Sequence, residues 1–123
     1  MAFIADTVFD NGLSYLDTNG VRLDITSTEA TTYTEATSTL SLGNDTVNTG
    51  APQAGAVDGR RVIVPAITAG SVTGTGTAGF YALTDNSAEL LATGPLSATQ
   101  GVTNGNTFSL DAISITIRAA TAV

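Results

Sequence analysis

The sequence predicts an all-β chain: an antiparallel β-sandwich or small barrel of about seven to eight short strands, with the jelly roll among the forms open to it. Three observations predict it. Apolar and polar residues alternate at period two through most of the chain, and no stretch of helical period stands out. Gly, Asn and Asp punctuate the alternating runs where turns are needed. An apolar fraction of 42% over 123 residues supports one folded domain rather than a disordered chain.

Residues 1–9 read as an N-terminal arm, a first strand or a short helix, and Phe3 and Ile4 would suit contact with a neighbouring molecule. Residues 13–18 and 21–26 flank Asn19-Gly20, the strongest short hairpin signal. That hairpin would set Leu16 opposite Leu23 and Asp17 opposite Arg22, with one aliphatic and one polar face. Thr28-Glu29-Ala30-Thr31 is echoed by Thr34-Glu35-Ala36-Thr37, too little for a repeat architecture. A short strand over 38–42 precedes the longest loop candidate, 43–59.

Residues 60–67 read as a strand ending near Pro65, at an edge or a bend. A long strand over 71–84 has glycines in its first half, turns at Asp85-Asn86-Ser87 and returns over 88–93, where Gly94-Pro95 ends it. Asn104-Gly105-Asn106 introduces the last strand, 107–118. Its apolar residues change phase there: Phe108 and Leu110 are even, Ile113, Ile115 and Ile117 odd. One regular strand cannot face both sets inward, so a bulge or bend at Asp111-Ala112 is predicted, which would let the strand serve two sheets.

The chain has no His, Cys or Trp, and all four basic residues are arginine. The usual general base, thiol nucleophile and Schiff-base amine are therefore missing. Only 12% of residues are charged, about half the usual share, so the surface must be built from Thr, Ser, Asn, Gly and Ala and suits packing. The net charge of −7 disfavours nucleic acid and anionic membranes as partners. The N-terminus lacks the basic region of a signal peptide, and no run reaches transmembrane length.

Candidate sites are few. Asp10-Asn11-Gly12 and Asp17-Thr18-Asn19-Gly20 resemble pieces of a calcium loop, but the acid required at the twelfth position is absent, and turn chemistry accounts for both. Paired carboxylates could support glycoside hydrolysis, a pattern eleven acids satisfy by chance. Gly74-Thr75-Gly76-Thr77-Ala78-Gly79 lacks the lysine and helix of a phosphate loop. No catalytic, metal or cofactor site is therefore expected. Arg60-Arg61, the only basic dipeptide, opens a strand, so the two side chains should point to opposite sides. They are either a solvated pair, with Asp58 as a nearby partner, or interface anchors.

Several segments together resemble a family of small virion proteins of tailed phages. They are Asp10-Asn11-Gly12-Leu13, Arg22-Leu23-Asp24-Ile25, Thr32-Tyr33-Thr34-Glu35-Ala36-Thr37, Gly59-Arg60-Arg61-Val62, Val64-Pro65-Ala66-Ile67, Ala82-Leu83-Thr84-Asp85, Leu91-Ala92-Thr93-Gly94 and Thr107-Phe108-Ser109-Leu110. Order and spacing carry the resemblance rather than any one motif. It implies a capsid decoration or cement protein, made in the host cytoplasm and placed on the virion surface. Such a protein would bind the major capsid protein, with other copies of itself on the same shell. A tail fibre or baseplate module that recognises a host surface is the other reading. The loops over 43–59 and 95–105 carry no aromatic residue, which favours the capsid.

Overall fold

The computed structural model describes residues 5–118 and is mostly β. A curled antiparallel sheet of six strands runs in the order β7-β6-β1-β2-β5-β8, and a second sheet of three runs β3-β4-β9. The strands are β1 (Arg22–Thr26), β2 (Ser41–Thr46), β3 (Gln53–Ala54), β4 (Arg60–Val64), β5 (Ile67–Val72), β6 (Gly76–Thr84), β7 (Leu90–Val102), β8 (Thr107–Leu110) and β9 (Ile113–Ile117). The fold class is the one the sequence predicts.

The first element differs. Where a hairpin arm was expected, α1 spans Asp6–Asn19 and buries Phe9, Leu13 and Leu16. Those three recur at spacings of four and three, which is one face of a helix. The residues between them, rich in Asp, Asn, Thr and Gly, are poor helix formers, so burial of this face holds the helix rather than propensity. Asn19-Gly20 ends the helix instead of turning a hairpin: the Gly20 N–H donates to the Leu16 carbonyl at 2.7 Å. A Cβ on Gly20 would stand 2.9 Å from Leu83 of β6, so a side chain there would push the helix end off the sheet. Of the expected arm, residues 6–9 are helical; Phe3 and Ile4 lie outside the described residues.

β1 is the centre of the large sheet and pairs with β2 on one side and β6 on the other. Leu23 and Ile25 point into the main core with Val62, Val64, Val72, Leu83 and Phe108. The opposite face, expected to be polar and open, is covered: Asp24 and Thr26 are fully buried. The segment after β1 folds back over them through a π-helical turn, Glu35–Thr39. The two Thr-Glu-Ala-Thr echoes have one role here. Their alanines, Ala30 and Ala36, are buried together against Ala82 of β6.

The strand at 38–42 is displaced to β2, so the expected loop 43–59 contains the end of β2 and the two-residue β3. The long strand over 71–84 is two strands, β5 and β6, broken over residues 73–75. Gly94-Pro95 does not end β7, because β7 is a sheet edge where a missing N–H breaks no ladder. The turn at residues 85–87 and the return strand form as expected, with Leu83 opposite Ala92.

The predicted phase change is realised as two strands. β8 pairs with β5 in the large sheet, β9 pairs with β4 in the small one, and Asp111-Ala112 is the link. Phe108 and Leu110 thereby face the core from one sheet, and Ile113 and Ile115 from the other.

Candidate functional site: an open seam between β7 and β8–β9

The turn over residues 103–106 joins β7 to β8. A hairpin continuing from it would oppose Val102 with Thr107, Gln100 with Ser109, Ala98 with Asp111 and Leu96 with Ile113. That ladder is not made: β7 and β8 are the two outer edges of the large sheet. The turn is held elsewhere, on β5. The Gly105 N–H donates to the Val72 carbonyl and the Val72 N–H to the Asn106 carbonyl, both at 3.0 Å.

Two irregularities lie along these edges. In the β6–β7 pair, Phe80 faces Pro95 and Ala78 faces Gln100, so residues 96–99 bulge opposite the single residue Gly79. In the β5–β8 pair, Ile67 faces Leu110 and Gly70 faces Phe108, so two residues of β5 oppose Ser109. Bulges bend a strand and end regular pairing, and they gather at the rims of barrels and beside binding sites. The gap is a cleft of about 640 Å³ walled by residues 95–100 on one side and by 66–68 and 109–113 on the other. Binding clefts have about this volume. One polar bridge crosses it: the Gln100 side-chain amide donates to the Ser109 carbonyl at 3.2 Å.

Further along, β7 and β9 with α1 bound a smaller groove of about 390 Å³, lined by Leu91, Ala92, Ile115 and Ile117. Its mouth is crossed by Tyr15, whose hydroxyl donates to Glu89 at 2.6 Å. That bond, with the negative charge of Glu89, raises the Tyr15 pKa above its ordinary value.

The main cleft contains no basic residue, no aromatic ring and one carboxylate, Asp111. It offers backbone groups, hydroxyls and small apolar side chains. Such a lining binds by packing and hydrogen bonding. Among the described residues no cluster of three or more acidic residues is placed to hold a metal ion. Asp10 and Asp17, the two candidate calcium-loop acids, are engaged by Arg60 at 2.8 Å and by the Thr49 hydroxyl at 2.6 Å.

The sequence-derived candidates lie elsewhere. Arg60 and Arg61 open β4 and line neither cleft. Arg60 reaches Asp10 of α1 through two nitrogens, at 2.8 and 3.3 Å, and so ties the helix to the small sheet. Arg61 points to the other side and donates to the Ser114 hydroxyl at 3.1 Å, while its Nε is buried without a partner among the described residues. Asp58 pairs with Arg118, at 2.6 Å. The expected Asp17–Arg22 pair is replaced by Arg22–Asp24 at 2.8 Å, because Asp17 lies on α1 rather than on a paired strand.

Sequence reasoning passed over the seam residues. No family model, curated protein or solved structure matches the chain.

Proposed function

We propose that this chain is a non-enzymatic assembly module of the capsid decoration kind, which binds a major capsid protein lattice and stabilises the head. The observation that carries the reading is the open seam, a docking cleft bounded by two unpaired strand edges and almost free of charge. Low charge lowers the desolvation cost of burial, and unpaired edges supply hydrogen bonds for a protein partner. The arginines fit the same reading in a different way from that expected. Arg22, Arg60 and Arg118 are committed to carboxylates within the chain, so the fold uses them for its own rigidity. The resemblance to small virion proteins supplies the capsid as the partner. Contacts between neighbouring copies would add over a lattice.

The test is direct. Purified empty capsids are mixed with the protein, and co-sedimentation and heat resistance are measured. Cryo-electron microscopy of particles then locates the chain. Regular density over the head, with raised heat resistance, is the expected result. Density confined to the tail tip would replace this reading with the tail-module one, and absence of binding to capsids would remove it.

A further inference from the structure

We propose that the open side of the β7–β8–β9 hairpin is a strand-acceptor site. It takes one extended polypeptide segment of a partner chain, of small apolar and hydroxyl side chains with a single Lys or Arg, paired antiparallel to β8. On the assembly reading above, that segment belongs to the shell protein.

Three observations carry this. First, the cleft walls consist of consecutive residues, 95–100 and 109–113. A strand seen face-on contributes only alternate residues, so an unbroken run fits a wall formed by the strand's edge. Second, the Ser109 carbonyl is taken by the primary amide of Gln100. That group is chemically the same donor as a backbone amide and stands where a neighbouring strand would. In an antiparallel ladder a residue's N–H and C=O point to the same side, so the Ser109 N–H also faces the seam. Third, the lining argues against other ligands. It has no cation for an anionic group and no ring for a sugar, whereas backbone pairing with small side chains suits what it offers. Asp111, the one charge, favours a segment with a Lys or Arg abreast of it.

Backbone of β7 does not pair with β8: the two strands are opposite edges of the large sheet, and the polar bridge between them is the Gln100 side-chain amide on the Ser109 carbonyl. The bulge at residues 96–99 interrupts the regular course of β7 beside that edge. An incoming segment antiparallel to β8 runs in the direction of β7 and displaces the Gln100 amide from Ser109.

The test uses the full chain, labelled with ¹⁵N, and a short capped peptide of alternating Thr and Val ending in one Lys. The expected result is amide shift changes confined to residues 96–100 and 107–113. A peptide N-methylated at the amides that face β8 should bind about tenfold more weakly or worse, because it loses those hydrogen bonds. Ser109→Pro removes one seam-facing N–H without touching the β5 ladder and should abolish binding; Ser109→Ala should retain it. The N-methylated peptide tests the same point on the unaltered protein.

Several results would overturn the proposal. They are shifts elsewhere or none, equal binding of the N-methylated peptide, or slow exchange of the Ser109 amide in the free protein, which would mean a zipped seam. Self-association blocked by Ser109→Pro would give the site to a second copy instead. A Ser109→Pro protein that still decorates capsids would sink this inference while leaving the assembly reading intact. Failure of the unaltered protein to bind capsids would do the reverse.

Discussion

The ring of Phe108 lies directly against Gly70, so close that a Cβ on Gly70 would overlap the ring. A Cβ on Gly43 would stand 3.2 Å from the same ring. Phe108 of β8 thus fills the space that two glycines leave on β5 and β2, and the three strands are keyed together by one aromatic side chain. Gly70→Ala should destabilise the fold by about 1 to 3 kcal/mol through overpacking, and Phe108→Ala by about 3 to 5 kcal/mol through the cavity left. Gly101→Ala, where nothing lies within 4 Å, is the matched control and should change stability little. Urea unfolding of the three variants checks this.

Asp24 is fully buried on β1 and receives the Arg22 guanidinium at 2.8 and 3.0 Å and the Ser41 hydroxyl at 2.7 Å. The hydrogen bond from Arg22 to Asp24 raises the arginine pKa, so the guanidinium stays charged. Removing Arg22 leaves the buried Asp24 carboxylate with the Ser41 hydroxyl but no counter-charge, and removing Asp24 leaves the half-buried guanidinium without its ion-pair partner. Asp24→Ala should cost about 3 kcal/mol, and Arg22→Ala a comparable amount. The double variant should cost less than the two together, measured as a double-mutant cycle in denaturant.

Thr26 is fully buried, and its hydroxyl has no hydrogen-bond partner among the described residues. Burying an unpaired hydroxyl is unfavourable, and valine has nearly the same shape. Thr26→Val should therefore stabilise the protein by about 1 kcal/mol, seen as a higher denaturation midpoint with an unchanged slope.

The Asp85 carboxylate accepts the N–H groups of Glu89, Ala88 and Ser87, each at 2.9 Å, and these bonds hold its pKa below the usual carboxylate value. Glu35 is lowered in the same way by the Thr31 N–H and hydroxyl. A depressed folded-state pKa contributes stability that is present above the unfolded value and is lost as pH falls through the folded one. The turn at 85–89 should therefore hold through neutral pH and loosen only below about pH 4. Asp85→Asn should loosen it at every pH. Amide exchange of Ser87, Ala88 and Glu89 across an acid titration reads both effects.

The sequence makes legible whatever local chemistry decides. The phase change between Leu110 and Ile113 marks a bulge or bend at Asp111-Ala112, since an unbroken period of two cannot face both sets inward. Asp85-Asn86-Ser87 announces its turn because a short carboxylate can cap three amides. Asn19-Gly20 misleads because the same dipeptide suits a hairpin turn and a helix end. The deciding signal, Phe9, Leu13 and Leu16 on one helical face, competes there with a plausible strand alternation. The covering of Asp24 and Thr26 depends on the π-helical turn folding back over β1. The seam depends on bulges in two separate strand pairs, and no local window of sequence contains both sides of either pair. Arg60 shows the same limit: its partner, Asp10, lies 50 positions away.

The strand divided at Asp111-Ala112 has a consequence for the order in which the molecule is made. Each sheet receives an outer strand from the same stretch, residues 107–117, and those strands pair with β5 and β4 from the middle of the chain. During synthesis, the large sheet cannot reach its full width until residue 110 has cleared the ribosome, nor the small one until residue 117 has. Until then the apolar faces of β4 and β5 wait for neighbours not yet made, and late, distant pairing of this kind is slow. Assembly of the fold is therefore governed from its far end, by one bent strand that completes both sheets.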